Sequence, residues 1–312
     1  MAVENFAILN GQIEDIKTKT KDGEIALVII ALKVIRRRKA SMEIAAGGCS
    51  VDFPLIMVRN KEMLEEIKDI TIGDMLQVIG TISTVPYQKT FICSECKHEE
   101  KYMGTKTFVS PILIEVRENS ISNGGQISEK TGMDLIKKRD QISNRIALIG
   151  HLCQDPIFYN EGFRVCSYQL GINRLIHVKE DAPEIRTDYP WIRSLGDQAE
   201  KDASTLKKGS LVYIVGSLQA RNIYRNGFNV EVKCEECGAM NAIVGDTMEI
   251  VPYHVEYMEN VTLPEPEKEA ELEMDEEEDD DYEYEEDYNT LKNMIPDYED
   301  EDDDETTITI EV

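Results

Sequence analysis

Two cysteine pairs offer the clearest chemistry in this sequence. Cys93 and Cys96 enclose two residues, and Cys234 and Cys237 repeat the same spacing later in the chain. This spacing lets both thiolates of a pair point at one tetrahedral ion, so each pair is half of a zinc-ribbon pattern. Neither has a second pair nearby, and we therefore expect all four to share one structural zinc ion. A redox pair, or no metal at all, is the alternative.

Aromatic and basic side chains are interleaved in the second half of the chain. Such a mixture can hold a single-stranded nucleic acid, because rings stack on bases while cations contact phosphates. Trp191 and Tyr224 lie among charges and Pro or Asn, which favours stacking, whereas Phe163 and Tyr213 lie in apolar runs, which favours core packing. The candidate contacts in this half are Arg164, Arg174, Trp191, Arg193, Arg221, Tyr224 and Arg225.

The first half contributes a run of four consecutive bases and two aromatic residues. The candidates here are Arg36, Arg37, Arg38, Lys39, Tyr87 and Phe91. Bases at the end of a strand usually form a solvated loop, but beside a groove they would contact phosphates, and both interpretations stay open.

Catalytic motifs are not found in the sequence. It contains no GxxxxGK[ST], no HExxH and no GxSxG, and its four histidines are scattered. We therefore expect a binding protein rather than an enzyme.

Short apolar runs of strand length position these residues. In the first half they are Phe6–Ile13, Ile25–Ile35, Val51–Val58, Met75–Ile82 and Phe108–Val116. The Lys-Asp-Gly-Glu segment at 21–24 predicts a hairpin turn between the first two. In the second half they are Ile146–Cys153, Phe163–Ile172, Trp191–Leu195, Leu211–Leu218 and Phe228–Lys233, with a further run at Met248–Tyr257. Each half places a helix between its third and fourth strands, one capped by Asn60 and one at Asp197–Leu206. This order is typical of the five-stranded OB-fold barrel, with another small barrel or sandwich as the alternative.

The two halves also match locally, with Gly80 opposite Gly216 in similar strands. We therefore predict a mainly β chain with two tandem OB-fold barrels and zinc-ribbon-like CxxC elements. The predicted divisions are a first barrel at 1–120, a linker at 121–143 with a short helix at Asp134–Arg139, a second barrel at 144–260 and a tail at 261–312.

The tail holds most of the chain's net charge of −27. Residues 261–312 contain 25 acidic residues and two lysines, so the remainder is nearly neutral and can still bind nucleic acid. Acidic low-complexity sequence of this kind is expected to be disordered. We expect the tail to compete with nucleic acid for the groove and to bind partner proteins.

Four segments of the second half resemble the single-stranded DNA-binding protein family of bacteria and phages. They are Asn144–Pro156, Phe163–Arg174, Tyr189–Arg193 and Leu206–Leu218. The resemblance implies sequence-independent binding of single-stranded DNA in replication, recombination and repair, and partners among replication or repair proteins. It also implies a base-stacking role for Trp191, with Arg174 and Arg193 nearby, and assembly into homo-oligomers. The fused second unit, the CxxC pairs and the tail's Glu-Val end depart from that family's pattern.

Cellular location follows from the thiols and from the apolar pattern. No signal-like N-terminus and no membrane-length apolar stretch is present, and the seven cysteines favour thiols and metal ligands over disulfides. We expect a cytoplasmic, nucleoid-associated protein without membrane contact, encoded by a bacterium or by a phage. An OB-fold protein adaptor with a DNA-mimicking tail, or an RNA-binding protein, are the alternative functions.

Overall fold

The computed structural model describes residues 4–36, 51–119, 124–160, 162–173, 187–222, 230–243 and 246–262. The strands of the first half are β1 (Glu4–Lys21), β2 (Glu24–Ile35), β3 (Val51–Asp52), β4 (Leu55–Val58), β5 (Met75–Ile92) and β6 (Glu99–Glu118). Those of the second half are β7 (Asn144–Leu152), β8 (Ile157–Tyr159), β9 (Val165–Asn173), β10 (Thr187–Asp188), β11 (Trp191–Leu195), β12 (Leu211–Asn222), β13 (Val230–Lys233), β14 (Met240–Ile243) and β15 (Asp246–Glu259). The helices are α1 (Lys61–Glu66), α2 (Glu129–Lys137), α3 (Asp140–Ser143) and α4 (Asp197–Thr205).

Strand pairing closes a barrel in each half. In the first, β1 pairs with β2, β2 with β4, β4 in parallel with β6, β6 with β5, and β5 with β1. In the second, β7, β9, β11, β15 and β12 close in the same order, with the parallel contact between β11 and β15. Both barrels therefore have the five-stranded OB arrangement predicted from the sequence.

The two glycines that align the halves lie where neighbouring strands approach too closely for a side chain. A Cβ on Gly80 would lie 2.3 Å from the carbonyl oxygen of Ser110, and one on Gly216 would lie 2.5 Å from that of Val251. Both positions are β-bulges in the register between the fourth and fifth strands, where each barrel bends to close.

Several local predictions are confirmed. The Asn60 side chain accepts a hydrogen bond from the Met63 N–H at 3.1 Å and so caps α1. Asp22 and Gly23 both have positive φ in the predicted hairpin turn between β1 and β2. Helix α4 begins at Asp197, as expected.

Other boundaries differ from the predictions. The described part of the predicted strand Phe228–Lys233 is β13, which pairs with β14 and with no other strand of the described residues; the strand that completes the second barrel is β15. The predicted strand Val51–Val58 divides into β3 and β4 around Pro54, which has no N–H to donate to the sheet. Strands β5 and β6 extend far beyond the predicted runs and form a long hairpin. The predicted helix of the linker is α2, which begins at Glu129 rather than Asp134.

The two barrels are joined through their first strands. Residues Glu4–Leu9 of β1 pair antiparallel with Asn144–Ile149 of β7. Ala7 lies opposite Ile146 at the centre of this pairing. Because these two residues occupy matching positions in their barrels, a pseudo-two-fold axis passes between them. One hydrophobic core cluster includes buried residues of both barrels.

Among the described helices, none has the length and apolar character needed to cross a membrane.

Candidate metal centre and nucleic-acid interface

The four cysteines of the CxxC pairs come together at the tips of two hairpins. The Sγ atoms of Cys93 and Cys237 lie 3.6 Å apart, as do those of Cys96 and Cys234, and all four lie within 4.8 Å of one another. Thiolates about 2.3 Å from a zinc ion form a tetrahedron with edges of about 3.8 Å. A disulfide would need about 2.05 Å between sulfur atoms, so the spacing fits a metal and not two disulfides. The expectation that the two pairs meet is confirmed.

The backbone shapes both cysteine turns in the same way. The Cys93 N–H donates to the carbonyl of His98 at 2.9 Å, and the Cys234 N–H donates to that of Ala239 at 2.8 Å. The residues at matching places, Lys97 and Gly238, both have positive φ. In each pair the first cysteine is buried and the second is exposed. The two turns therefore present their sulfur atoms symmetrically about the pseudo-two-fold axis.

The predicted nucleic-acid contacts of the second barrel have different surroundings. Trp191 is half-buried on β11 and lies opposite Gln169 of β9. Arg193, two residues further, is buried and lies 3.6 Å from the carboxylate of Glu249. Arg164 is exposed enough to reach solvent but is paired with Asp197 at 2.7 Å and Glu200 at 2.8 Å.

Of the remaining candidates, the structure describes the side chain of Arg36, the backbone alone of three residues, and nothing of six others. In the first barrel, Arg36 binds both carboxylate oxygens of Asp52 at 2.6 Å, and this hydrogen bonding raises the pKa of Arg36. Tyr87, Phe91 and Arg221 are described only by their backbone in β5 and β12. Outside the described residues lie Arg37, Arg38, Lys39, Arg174, Tyr224 and Arg225.

Exposed aromatic residues near β9 were missed or misread in the sequence. Phe163 is 65% exposed, which contradicts its expected place in the core. The reason is that β9 begins only at Val165, and Phe163 follows Gly162, which has a positive φ. Tyr189 is also exposed, as are Phe158 and Tyr159 of the short strand β8. The turn residues Asn160 and Gly162 were the sequence signal that Phe163 precedes the strand.

Two closed OB-type barrels, joined by their first strands and by a cysteine cluster, define a double-barrel OB-fold protein. A sequence profile described as the Single-strand binding protein family matches residues 143–239. The chain is 30% identical over 126 residues to Single-stranded DNA-binding protein 2 of Clostridium acetobutylicum, covering 38% of this chain and 92% of that protein. The chain therefore belongs to the single-strand binding protein family.

A second relative and a solved structure are also similar to this chain. Single-stranded DNA-binding protein A of Bacillus subtilis is 36% identical over 85 residues, which cover 27% of this chain and 48%, or about half, of that protein. The crystal structure of the wild-type single-stranded DNA binding protein from Thermus aquaticus superposes with a TM-score of 0.51 at 14% identity. That superposition covers 85% of this chain and 98% of the Thermus chain, so the likeness in fold extends over both barrels.

Proposed function

We propose that this chain binds single-stranded DNA without sequence preference, as a binding protein and not an enzyme. OB folds hold oligonucleotides on the face of their second and third strands and on adjacent loops. In the second barrel these strands are β9 and β11, and the half-buried Trp191 lies on them beside polar Gln169. This placement of the chain's one tryptophan, in a member of the single-strand binding family, is the observation that carries the proposal.

Binding would combine base stacking with contacts to phosphates. A ring on this face can stack on any base, because every base has a π-face, and this explains binding without sequence preference. Tyr189 is close to Trp191 in the chain and exposed, so it adds a second ring to the same region. The predicted arginines other than the paired Arg193 and Arg36 are proposed to contact phosphates together with Lys39, which makes the affinity dependent on salt.

A titration of the Trp191 fluorescence tests the proposal. The full chain is mixed at low salt with oligo-dT, with duplex DNA of equal length and with oligo-U. We expect quenching by oligo-dT at the lowest concentration, because duplex bases are not free to stack. If none of the three binds, the proposed function is wrong, and a protein adaptor becomes the better hypothesis. Equal or tighter binding of oligo-U would favour RNA as the ligand.

We propose that the cysteine cluster holds one zinc ion. Cys93, Cys96, Cys234 and Cys237 would supply four thiolates, which fit the tetrahedral preference of this metal. A closed set of four protein ligands leaves no open position, so the ion would be structural. It would tie the β5–β6 hairpin of the first barrel to the β13–β14 ribbon of the second, far in sequence from the β1–β7 pairing.

We propose that the acidic tail regulates access to the groove and binds replication or repair proteins. The segment from residue 263 onwards lies outside the described residues, and the proposal rests on its charge of −23 and its tether to the second barrel. A tethered polyanion has a high effective concentration at any cationic surface it can reach. Bound DNA would displace the tail and release it for partners.

A further inference from the structure

The two barrels can be compared position by position at their parallel strand contacts. Ile56 lies opposite Val109 in the first barrel, and Ile192 lies opposite Ile250 in the second. It follows that Leu55 corresponds to Trp191, Met57 to Arg193 and Phe108 to Glu249.

The first barrel has an apolar, packed surface where the second has its proposed stacking face. Leu27, Met57 and Phe108 are buried there and form a separate hydrophobic cluster, with Ile29 and Leu55 packed against it. Phe108 is completely buried, so its ring is not available to a base. This packed apolar cluster offers neither an exposed ring nor a hydrogen-bond donor for a phosphate.

The second barrel replaces this cluster by polar groups. At the positions of Met57 and Phe108 the second barrel has Arg193 and Glu249, which form a buried ion pair. At the position of Leu55 it has Trp191. Since an apolar cluster fills the same place in the first barrel, the fold itself does not require charges there. Buried ion pairs are often no more stabilising than well-packed apolar groups, so their presence suggests a role in binding.

The first barrel holds the segment that carries Trp191. The carboxylate of Asp188 accepts hydrogen bonds from the Thr84 N–H at 2.7 Å and from its hydroxyl at 3.2 Å. In turn, the Tyr189 N–H donates to the Thr84 hydroxyl at 3.0 Å. Asp188 is itself buried and lies three residues before Trp191, so these contacts fix the backbone that leads into β11.

The pseudo-two-fold axis relates the Asp188–Thr84 contact between the barrels to a contact between Asp52 and Ala220 that lacks the hydroxyl hydrogen bonds. Asp52 corresponds to Asp188, and its carboxylate accepts a hydrogen bond from the backbone of Ala220, which corresponds to Thr84. Alanine has no hydroxyl, so the counterpart of the Tyr189 bond cannot form. The Asp52 carboxylate also binds Arg36 of the same barrel.

We infer that the two barrels have unequal roles: the second carries the base-stacking surface, and the first positions it through Thr84 and Asp188. This inference rests on the proposed binding of single-stranded DNA. Asp188 and Thr84 are positioning residues, because they act through the Tyr189–Trp191 segment rather than by touching a base. The first barrel thereby completes the binding surface of the second.

Asp188 and Asp52, which are related by the pseudo-two-fold axis, provide a matched pair of variants for the test. Asp188→Ala and Asp52→Ala in the full chain each remove one buried carboxylate that bridges the barrels. We expect both to lower the Tm, but only Asp188→Ala to shift the emission of Trp191 in the free protein. Only Asp188→Ala should weaken oligo-dT binding, by about fivefold or more, as expected when positioning hydrogen bonds are lost. Equal weakening by both variants would overturn the inference.

A milder variant keeps the test decisive if the alanine variants fail to fold. Thr84→Val keeps the shape and the backbone N–H but removes the hydroxyl that Tyr189 and Asp188 contact. We expect a changed Trp191 emission and weaker oligo-dT binding at a nearly unchanged Tm. Unchanged emission and affinity would overturn the inference. If the unmodified chain binds no oligonucleotide, the proposed function fails, whereas the emission data still test whether Thr84 positions Trp191.

Discussion

The Sγ atoms of Cys93 and Cys237 lie 3.6 Å apart although they belong to different barrels. The same distance separates Cys96 from Cys234, so each close sulfur pair takes one atom from each barrel. A metal bound here depends on both halves of the chain at once. Loss of one cysteine should therefore disrupt the whole site.

Metal analysis of the purified chain should find one zinc ion per molecule. Cys93→Ser and Cys234→Ser should each abolish it, because three thiolates bind structural zinc far less tightly than four. Cys153→Ser is the matched control, since this half-buried cysteine lies outside the cluster. Two zinc ions per chain, or zinc retained in either cluster variant, would reject the shared site.

Replacing Trp191 by alanine should weaken oligo-dT binding by about 1–3 kcal/mol, the usual contribution of one stacked base. Fluorescence anisotropy of a labelled oligonucleotide measures this, because the variant has lost its own fluorophore. Ile72→Ala, which removes an exposed apolar residue of the first barrel, is the control and should bind normally. Normal affinity in a folded Trp191→Ala variant would show that this ring does not stack on DNA.

Shortening the chain should raise its affinity for single strands at low salt. Ending it at Thr262 removes nearly all of the acidic tail but keeps the hydrogen bond from the Thr262 N–H to Thr205 at 2.8 Å. The gain should shrink as salt increases, because ions screen the attraction between tail and groove. Binding isotherms of both lengths at several salt concentrations test this. Identical affinities at low salt would show that the tail does not compete for the groove and serves only solubility or partner binding.

Phe163→Ala should change the free energy of unfolding by no more than about 0.5 kcal/mol, since its ring is exposed. Tyr168→Ala is the contrast, because Tyr168 is fully buried in the same barrel and its loss should cost about 3–5 kcal/mol. Urea unfolding of both variants measures the two values. A large loss of stability in Phe163→Ala would restore its predicted place in the core.

Asp202 should make the stability of the chain depend on pH. Burial raises the pKa of this carboxyl, which accepts hydrogen bonds from Tyr168, Tyr257 and Gln198. The folded chain therefore holds the proton more tightly than the unfolded chain. The stabilisation that the protonated carboxyl provides is present below its ordinary pKa of about 3.9 and is lost as pH rises through the raised value.

Asp202→Asn removes that titration. We expect the stability of the unmodified chain relative to this variant to fall as pH rises from about 4 to 7. Urea unfolding across this range measures the difference. A pH-independent difference between the Asp202 variant and the unmodified chain would contradict the expectation.

Local features were predictable from the sequence because short-range forces decide them. The alternation of apolar residues defined most strands, Asn60 defined the start of α1, and Asp22-Gly23 defined a hairpin turn. The repeated CxxC spacing, placed at matching points of two similar halves, was enough to predict that the four cysteines meet. The same repetition predicted two barrels of one type.

The tertiary structure decided what depends on partners distant in sequence. An apolar run does not specify its neighbour, so only the strand pairing distinguished β15 from β13 as the barrel strand. Burial likewise decided that Phe163 is exposed while Arg193 is enclosed with Glu249. The bonds from Thr84 to Asp188 join residues of different barrels, and no periodicity within either segment records them. Such contacts arise only when folding brings the two halves together, because their energies depend on geometry that the sequence does not display.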